Sequence, residues 1–223
     1  MAALTIGWGW VAAATAGSLT VALPRSSGTK LGRVRVYLST SCDTAPPRAQ
    51  CSDGQETAQV FGVDVPDGGL RPGGTVAIDA STLGYPRHSI ASLPAGTYCV
   101  QAELFPYRRY LRGDGADLLL PVSCVSDAGG DGAYGSPPGT LYSDVVSAVL
   151  GQDGGWSGPV ALELTHEVAA VRSPGCSGKG NDTDYIKTVS IHSTLLERFW
   201  GTRMKLEACV LLPFGFHERP SAR

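Results

Sequence analysis

The sequence predicts an all-β fold, an immunoglobulin-like β-sandwich of about eight or nine strands with one short C-terminal helix. Three observations carry this expectation. Within the stretch 92–104, a Leu-Pro-Ala-Gly turn leads into strict alternation: Tyr98, Val100, Ala102 and Leu104 share one face, Thr97, Cys99, Gln101 and Glu103 the other. That is the period of a strand half-buried against a core. Gly 29 and Pro 15 in a chain of 223 residues supply turns between short strands. Apolar residues at helical spacing are confined to one segment near the C-terminus, while a hydrophobic content of 43% is enough for a core.

Taken in order, residues 1–22 are apolar, with no Lys or Arg before Arg25. Ala14-Thr15-Ala16 before Gly17 has the small-residue character of a cleavage site, so this stretch reads as a secretory signal peptide. The sandwich is expected over 30–202. Val34, Val36 and Leu38 alternate with Arg33, Arg35 and Tyr37, a cysteine-bearing loop covers 41–56, and Phe61, Val63 and Val65 alternate again up to the turn Pro66-Asp67-Gly68-Gly69. Val76 and Ile78 make a short strand, 80–91 an irregular connection, and Leu93-Pro94-Ala95-Gly96 turns the chain into the strand described above. Residues 105–116 read as a loop rich in Tyr and Arg. Leu118–Leu120 and Val122 are apolar, 126–139 is a Gly/Asp/Ser/Pro loop, and Leu141–Leu150 and Val160–Val168 each read as one strand. A polar loop over 172–184 leads to a strand at Tyr185–Ile191. Thr194-Leu195-Leu196-Glu197 has the capping-box pattern of a helix running to Phe199 and ended by Gly201. Met204, Leu206, Ala208, Val210 and Leu212 alternate in a last strand, within a 203–223 segment expected to be either a C-terminal strand and tail or the start of a further domain.

Charge and cysteine usage narrow the function classes. A net charge of −2 gives no electrostatic case for nucleic acid or an anionic membrane surface. The six cysteines, at 42, 51, 99, 124, 176 and 209, lack zinc-site spacing, and their even, dispersed placement suits a secreted, disulfide-bonded domain. Six cysteines allow 15 connectivities, and Cys42–Cys51, closing a Pro-containing loop, is the one pairing expected by name. Asn181-Asp182-Thr183 is a glycosylation acceptor in a secreted chain.

Catalytic signatures are approached and not met. Gly155-Trp156-Ser157-Gly158-Pro159 and Gly175-Cys176-Ser177-Gly178-Lys179 lack the last glycine of a nucleophile elbow and the helix behind it. His88, His166, His192 and His217 are scattered. His166 falls in phase with Val160, Leu162 and Leu164, which predicts a partly buried strand histidine. Gly130-Asp131-Gly132-Ala133-Tyr134-Gly135 satisfies GxGxxG, but Pro137-Pro138 stands where a phosphate-binding helix would begin. No catalytic residue, metal site or cofactor is therefore expected, and Asp114, Asp117, Asp127 and Asp131 read as solvated loop acids. The candidate binding residues are Tyr107, Arg108, Arg109 and Tyr110, because Tyr and Arg are the side chains that dominate interfaces.

Three stretches read together resemble the N-terminal region of secreted esterases that carry a β-sandwich ahead of an α/β-hydrolase domain of the esterase D or enterochelin-esterase type. They are Gly32-Arg33-Val34-Arg35-Val36-Tyr37-Leu38-Ser39; the run from Ile78-Asp79 through Leu83-Gly84-Tyr85-Pro86 to Leu93–Ala102, with Pro138-Gly139-Thr140-Leu141-Tyr142-Ser143 downstream; and Ser193–Gly201 followed by Val210-Leu211-Leu212-Pro213-Phe214-Gly215-Phe216. The resemblance spans about residues 32–223, and its last segment is similar to the first strand of the hydrolase domain, the rest of which would lie beyond Arg223. It implies a non-catalytic accessory domain that supports or shapes a hydrolase domain, in cis in that family. The other expectation is a stand-alone extracellular module that binds carbohydrate or protein through its loops, and the third a self-contained hydrolase.

Overall fold

The long strand that the alternation predicts is the axis of the molecule. In the computed structural model, which describes residues 18–52, 54, 56–122, 136–170 and 182–218, the strands in chain order are β1 (Leu19–Ala22), β2 (Gly32–Ser39), β3 (Gln59–Asp64), β4 (Thr75–Ile78), β5 (Gly84–Tyr85) and β6 (Gly96–Leu111). They are followed by β7 (Asp117–Pro121), β8 (Leu141–Tyr142), β9 (Val146–Leu150), β10 (Val160–Glu163), β11 (His166–Glu167) and β12 (Ile186–His192). The helix α1 (Thr194–Trp200) and β13 (Lys205–Leu211) complete the chain. The fold is an all-β sandwich with a helix-bearing ribbon attached to it.

The larger sheet has the order β11-β8-β6-β2-β3-β5. β2 lies antiparallel along one edge of β6, while β9, β8 and β7 share the other edge in succession. Tyr98, Val100, Ala102 and Leu104 face the core together with Val34, Val36 and Leu38 of β2 and Phe61 of β3. The opposite face of β6 is not left to solvent, as a half-buried strand would have it. Cys99, Gln101 and Glu103 are buried too, under the 3₁₀ turn Pro47–Gln50 and the segment around Ser136–Ser143. β6 is central in both directions.

The smaller sheet has the order β10-β1-β4, with β1 parallel to β10 and antiparallel to β4. Register puts Leu19 beside Val160 and Ile78, and Val21 beside Leu162 and Val76, so one face of this sheet is continuously apolar and closes the core. The sandwich thus starts earlier than the expected residue 30. Leu19–Ala22, read from composition as part of a leader, form the middle strand of a sheet, and Leu19, Val21 and Leu23 are at most 1% exposed. A cleavage after Ala16 leaves this strand whole, whereas a leader extending to residue 22 does not.

Three further boundaries differ from the sequence reading, each for a physical reason. The expected loop at 105–116 is the C-terminal part of β6 and its hairpin with β7, closed by Arg112 N–H donating to the Ala116 carbonyl at 2.8 Å. Pro106 and the run of polar residues after it interrupt the apolar pattern without interrupting the pairing. The single strand expected at 160–168 is two, because the chain leaves the small sheet after Glu163 and joins the large one at His166. Its neighbour at 141–150 is likewise divided: Ser143 N–H donates to the Ala102 carbonyl, and Ser143 Oγ accepts from Ala102 N–H, both at 2.9 Å.

Cys42 is joined to Cys99 of β6, with 5.7 Å between their Cα atoms, and not to Cys51. The loop folds back over the polar face of β6 rather than closing on itself, with Gln50 Nε2 donating to the Ser41 carbonyl at 2.8 Å and Oε1 accepting from Ser39 Oγ at 2.6 Å. That fold carries Cys42 over Cys99, while Cys51 remains a half-buried free thiol. Cys209 is also disulfide-bonded.

Among the described residues β12 and β13 pair only with each other, with α1 inserted between them. Ser193 is the N-cap, its Oγ accepting from Leu196 N–H at 3.3 Å, one residue ahead of the expected cap. Gly201 ends the helix at φ 65°, and a Cβ there would strike the Leu111 carbonyl oxygen. Close approach to the tip of the β6–β7 arm therefore requires glycine at this position. The division expected between residues 202 and 203 lies between α1 and β13.

Candidate functional site

The four expected binding residues lie on one strand and therefore alternate. Tyr107 and Arg109 project from the outer face of the large sheet, Arg108 and Tyr110 from the other. Tyr107 Oη donates to Asp64 Oδ1 at 3.3 Å, and Arg109 forms a bidentate pair with Asp117, both bonds 2.7 Å. That pair holds the Asp117 carboxyl below its ordinary range, chiefly through the hydrogen bonds from Arg109. Tyr110 turns to the ribbon and meets Trp200 edge-on at 5.8 Å. Arg112 pairs with Asp114 and lies over the Phe199 ring. The cluster is thus divided between two surfaces, one polar and one joining the ribbon to the sandwich.

The outer face of the large sheet carries a transverse row that the sequence does not announce. Pairing aligns Gly62, Arg35, Glu103, Tyr142 and His166 across β3, β2, β6, β8 and β11. Glu103 is fully buried. Its Oε1 accepts from Tyr37 Oη at 2.5 Å and from Arg35 at 3.3 Å, and its Oε2 accepts from Ser136 Oγ at 2.8 Å. A buried carboxylate needs such partners to offset its desolvation. Burial first, and then the charge and hydrogen bond of Glu103, push the Tyr37 phenol far above its ordinary value. Burial alone would lower Arg35, but Tyr37 and Glu103 outweigh it and hold the guanidinium above its usual range. Arg35 also lies 4.2 Å over the Phe105 ring. At the far end of the row His166 stacks on Tyr142 at 5.0 Å and bonds Asp144 at 2.8 Å. His166 is exposed, contrary to its apparent phase, because the change of sheet at 164–165 moves it from the core side to the outer face.

Two concavities flank this face. One of about 270 Å³ lies over Gly62 between Arg33, Arg35, Leu83 and Tyr85. The other, of about 330 Å³, lies among Leu31, Asp67, Arg109, Asp117 and Leu119. A third, of about 350 Å³, sits at the sheet edge by Gln50, Ala58, Pro86 and Tyr98.

Ser157 occupies the turn before β10, its N–H donating to the Val149 carbonyl at 2.9 Å, not a strand-to-helix elbow. His192 bonds Glu197 at 2.7 Å, and His217 the Asp184 carbonyl at 2.8 Å. Cys51 is raised in pKa mainly by burial. Asn181, Ser177, Cys124, Cys176, Asp127 and the GxGxxG stretch lie outside the described residues. Among the described residues no group of three or more His, Cys, Asp or Glu could hold a metal ion, and no helix is long and apolar enough to cross a membrane.

The ribbon is the second surface of interest. Directly paired residues share a face, so Val189 and Ala208, Ile191 and Leu206, and Lys187 and Val210 point the same way. Ile191 is 59% and Leu206 53% exposed, and Phe214, just past β13, is 95% exposed. Comparison of the chain with protein-family models, curated proteins and solved structures finds no match.

Proposed function

We propose that this protein is a non-catalytic β-sandwich module of the extracellular type that docks against a further folded domain through its β12–α1–β13 ribbon. One observation carries the reading: a ribbon, two-stranded among the described residues, that exposes Val189, Ile191, Leu206, Val210 and Phe214. Two strands without a covered apolar face are marginal in water, and contiguous apolar surface of this kind marks an interaction site. The ribbon is also held to the β6–β7 arm by Tyr110–Trp200 packing and by Gly113 N–H donating to the Phe199 carbonyl at 2.7 Å. The occupant is a domain whose own sheet or apolar face continues the ribbon, and the motif resemblance makes an α/β-hydrolase domain the first to test. The Cys42–Cys99 bond and the second disulfide at Cys209 support an oxidising compartment.

The experiment is hydrogen exchange on the chain with and without a separately produced enterochelin-esterase-type hydrolase domain. Protection confined to residues 186–216, and lost in an Ile191→Asp/Leu206→Asp variant, is the expected result. Protection centred on the outer face of the large sheet, or hydrolysis of an aryl acetate by the chain alone, overturns the proposal.

A further inference from the structure

The concavity over Gly62 is built from three adjacent strands. Arg33 and Arg35 project two residues apart from β2, Gly62 of β3 forms the floor, and Tyr85 of β5 shares the outer face through its pairing with Val60. The missing side chain of Gly62 makes the hollow, since a Cβ there would lie 2.8 Å from Arg33 Nε. Tyr85 is 52% and Leu83 72% exposed at the rim.

The polar groups are held in place before any ligand arrives. Arg33 donates to Asp64 at 2.9 Å and to the Gly62 carbonyl at 3.0 Å, while Arg35 is fixed by Glu103 and the Phe105 ring. Each guanidinium already has a carboxylate, buried Glu103 for Arg35 and exposed Asp64 for Arg33, so the site offers planar donors beside one accessible acceptor with no surplus charge. An anion gains little from such a pair, and an apolar ligand would leave the arginines unserved. A neutral ring with hydroxyls at its edge and C–H groups on its face matches both parts: the hydroxyls bridge the arginine and carboxylate edges, and the C–H face covers the tyrosine ring. The polar strip continues past the Asp64–Tyr107 contact to the Arg109–Asp117 pair, which provides for more than one ring.

We propose that the outer face over Gly62, with Tyr85 as the stacking ring and Arg33, Arg35 and Asp64 as the hydroxyl-binding groups, is a binding site for a neutral oligosaccharide. The site is separate from the ribbon and independent of what the ribbon binds.

The test is calorimetric titration of the full chain with cellohexaose, xylohexaose and mannohexaose, using hexagalacturonate as the anionic comparator. At least one neutral hexasaccharide is expected to bind, with an affinity unchanged between about 50 and about 500 mM salt. Tyr85→Ala and Arg33→Ala should each weaken it by about tenfold or more. Tyr85 is exposed, so its removal leaves the fold in place. Leu211→Ser, on the ribbon, should bind as the parent does. Absence of binding to all three neutral sugars overturns the proposal. So does salt-sensitive binding of hexagalacturonate alone, or equal affinity in the Tyr85→Ala variant.

Discussion

Removing the Cys42–Cys99 bond, by Cys42→Ser and Cys99→Ser together, tests the arrangement of the loop over β6. A bond stabilises mainly by shortening the unfolded chain's freedom, and more so for longer loops. The separation of 57 residues corresponds to an entropy of about −14 cal/mol/K, or about 4 kcal/mol at 25 °C. A Cys42–Cys51 link, spanning about nine residues, would be worth about 2.6 kcal/mol by the same relation. Against a domain stability of about 5–15 kcal/mol the larger figure is a substantial fraction. Urea unfolding followed by tryptophan fluorescence should show the midpoint falling by about 2 M for a slope of about 2 kcal/mol/M. Trypsin cuts after Arg48 and after Arg87, so Cys42, Cys51 and Cys99 fall in separate peptides, and the unreduced digest should contain the peptides of Cys42 and Cys99 joined. A midpoint shift equivalent to less than about 1 kcal/mol, or a digest joining Cys42 to Cys51, refutes the reasoning.

Other outcomes follow from the same geometry. Tyr37 has a phenol whose pKa in the folded state lies well above its unfolded value of about 10. Its contribution is therefore fully present below about pH 10 and is lost as pH rises above that; the denaturant midpoint should fall more steeply above that pH in the parent than in Tyr37→Phe. A chain starting at Leu23 loses the burial of Leu19 and Val21 relative to one starting at Gly17, roughly 3–6 kcal/mol, and should be the more protease-sensitive of the two by limited proteolysis. Gly201→Ala forces α1 away from the Leu111 carbonyl, and should expose Trp200, read as a red shift in its fluorescence, with little change in the melting of the sandwich. Cys51 should react with iodoacetamide slowly at pH 8, its rate rising only above the ordinary thiol range, because burial raises its pKa.

Where the chain alternates strictly, as in Tyr98–Leu104 or Val34–Leu38, one strand's own side chains decide its face, and the sequence suffices. The helix is equally local, since a hydroxyl cap and Gly201 bound it on their own. The Tyr107–Tyr110 cluster was visible as composition but not as a surface: Pro106 concealed the continuing strand, and only the β7 pairing divides the four residues between two faces. The buried Glu103 had the same appearance as any solvent-facing strand glutamate. What buries it is Ser136 and the cysteine loop, brought in from 33 and more residues away.

Composition and period by themselves determined that this protein is a turn-rich, all-β chain with β6 at its centre and a capped helix near its end, because these depend on neighbours within a few residues. Tertiary structure decided what depends on distant partners. It recruited Leu19–Ala22 as the middle of a sheet between β10 and β4, and it paired Cys42 with Cys99. It moved His166 to the outer face by a change of sheets. Gathering Gly62, Arg33, Arg35 and Tyr85 into one hollow was also its work, since strand order and register are properties of the packed chain and not of any one segment.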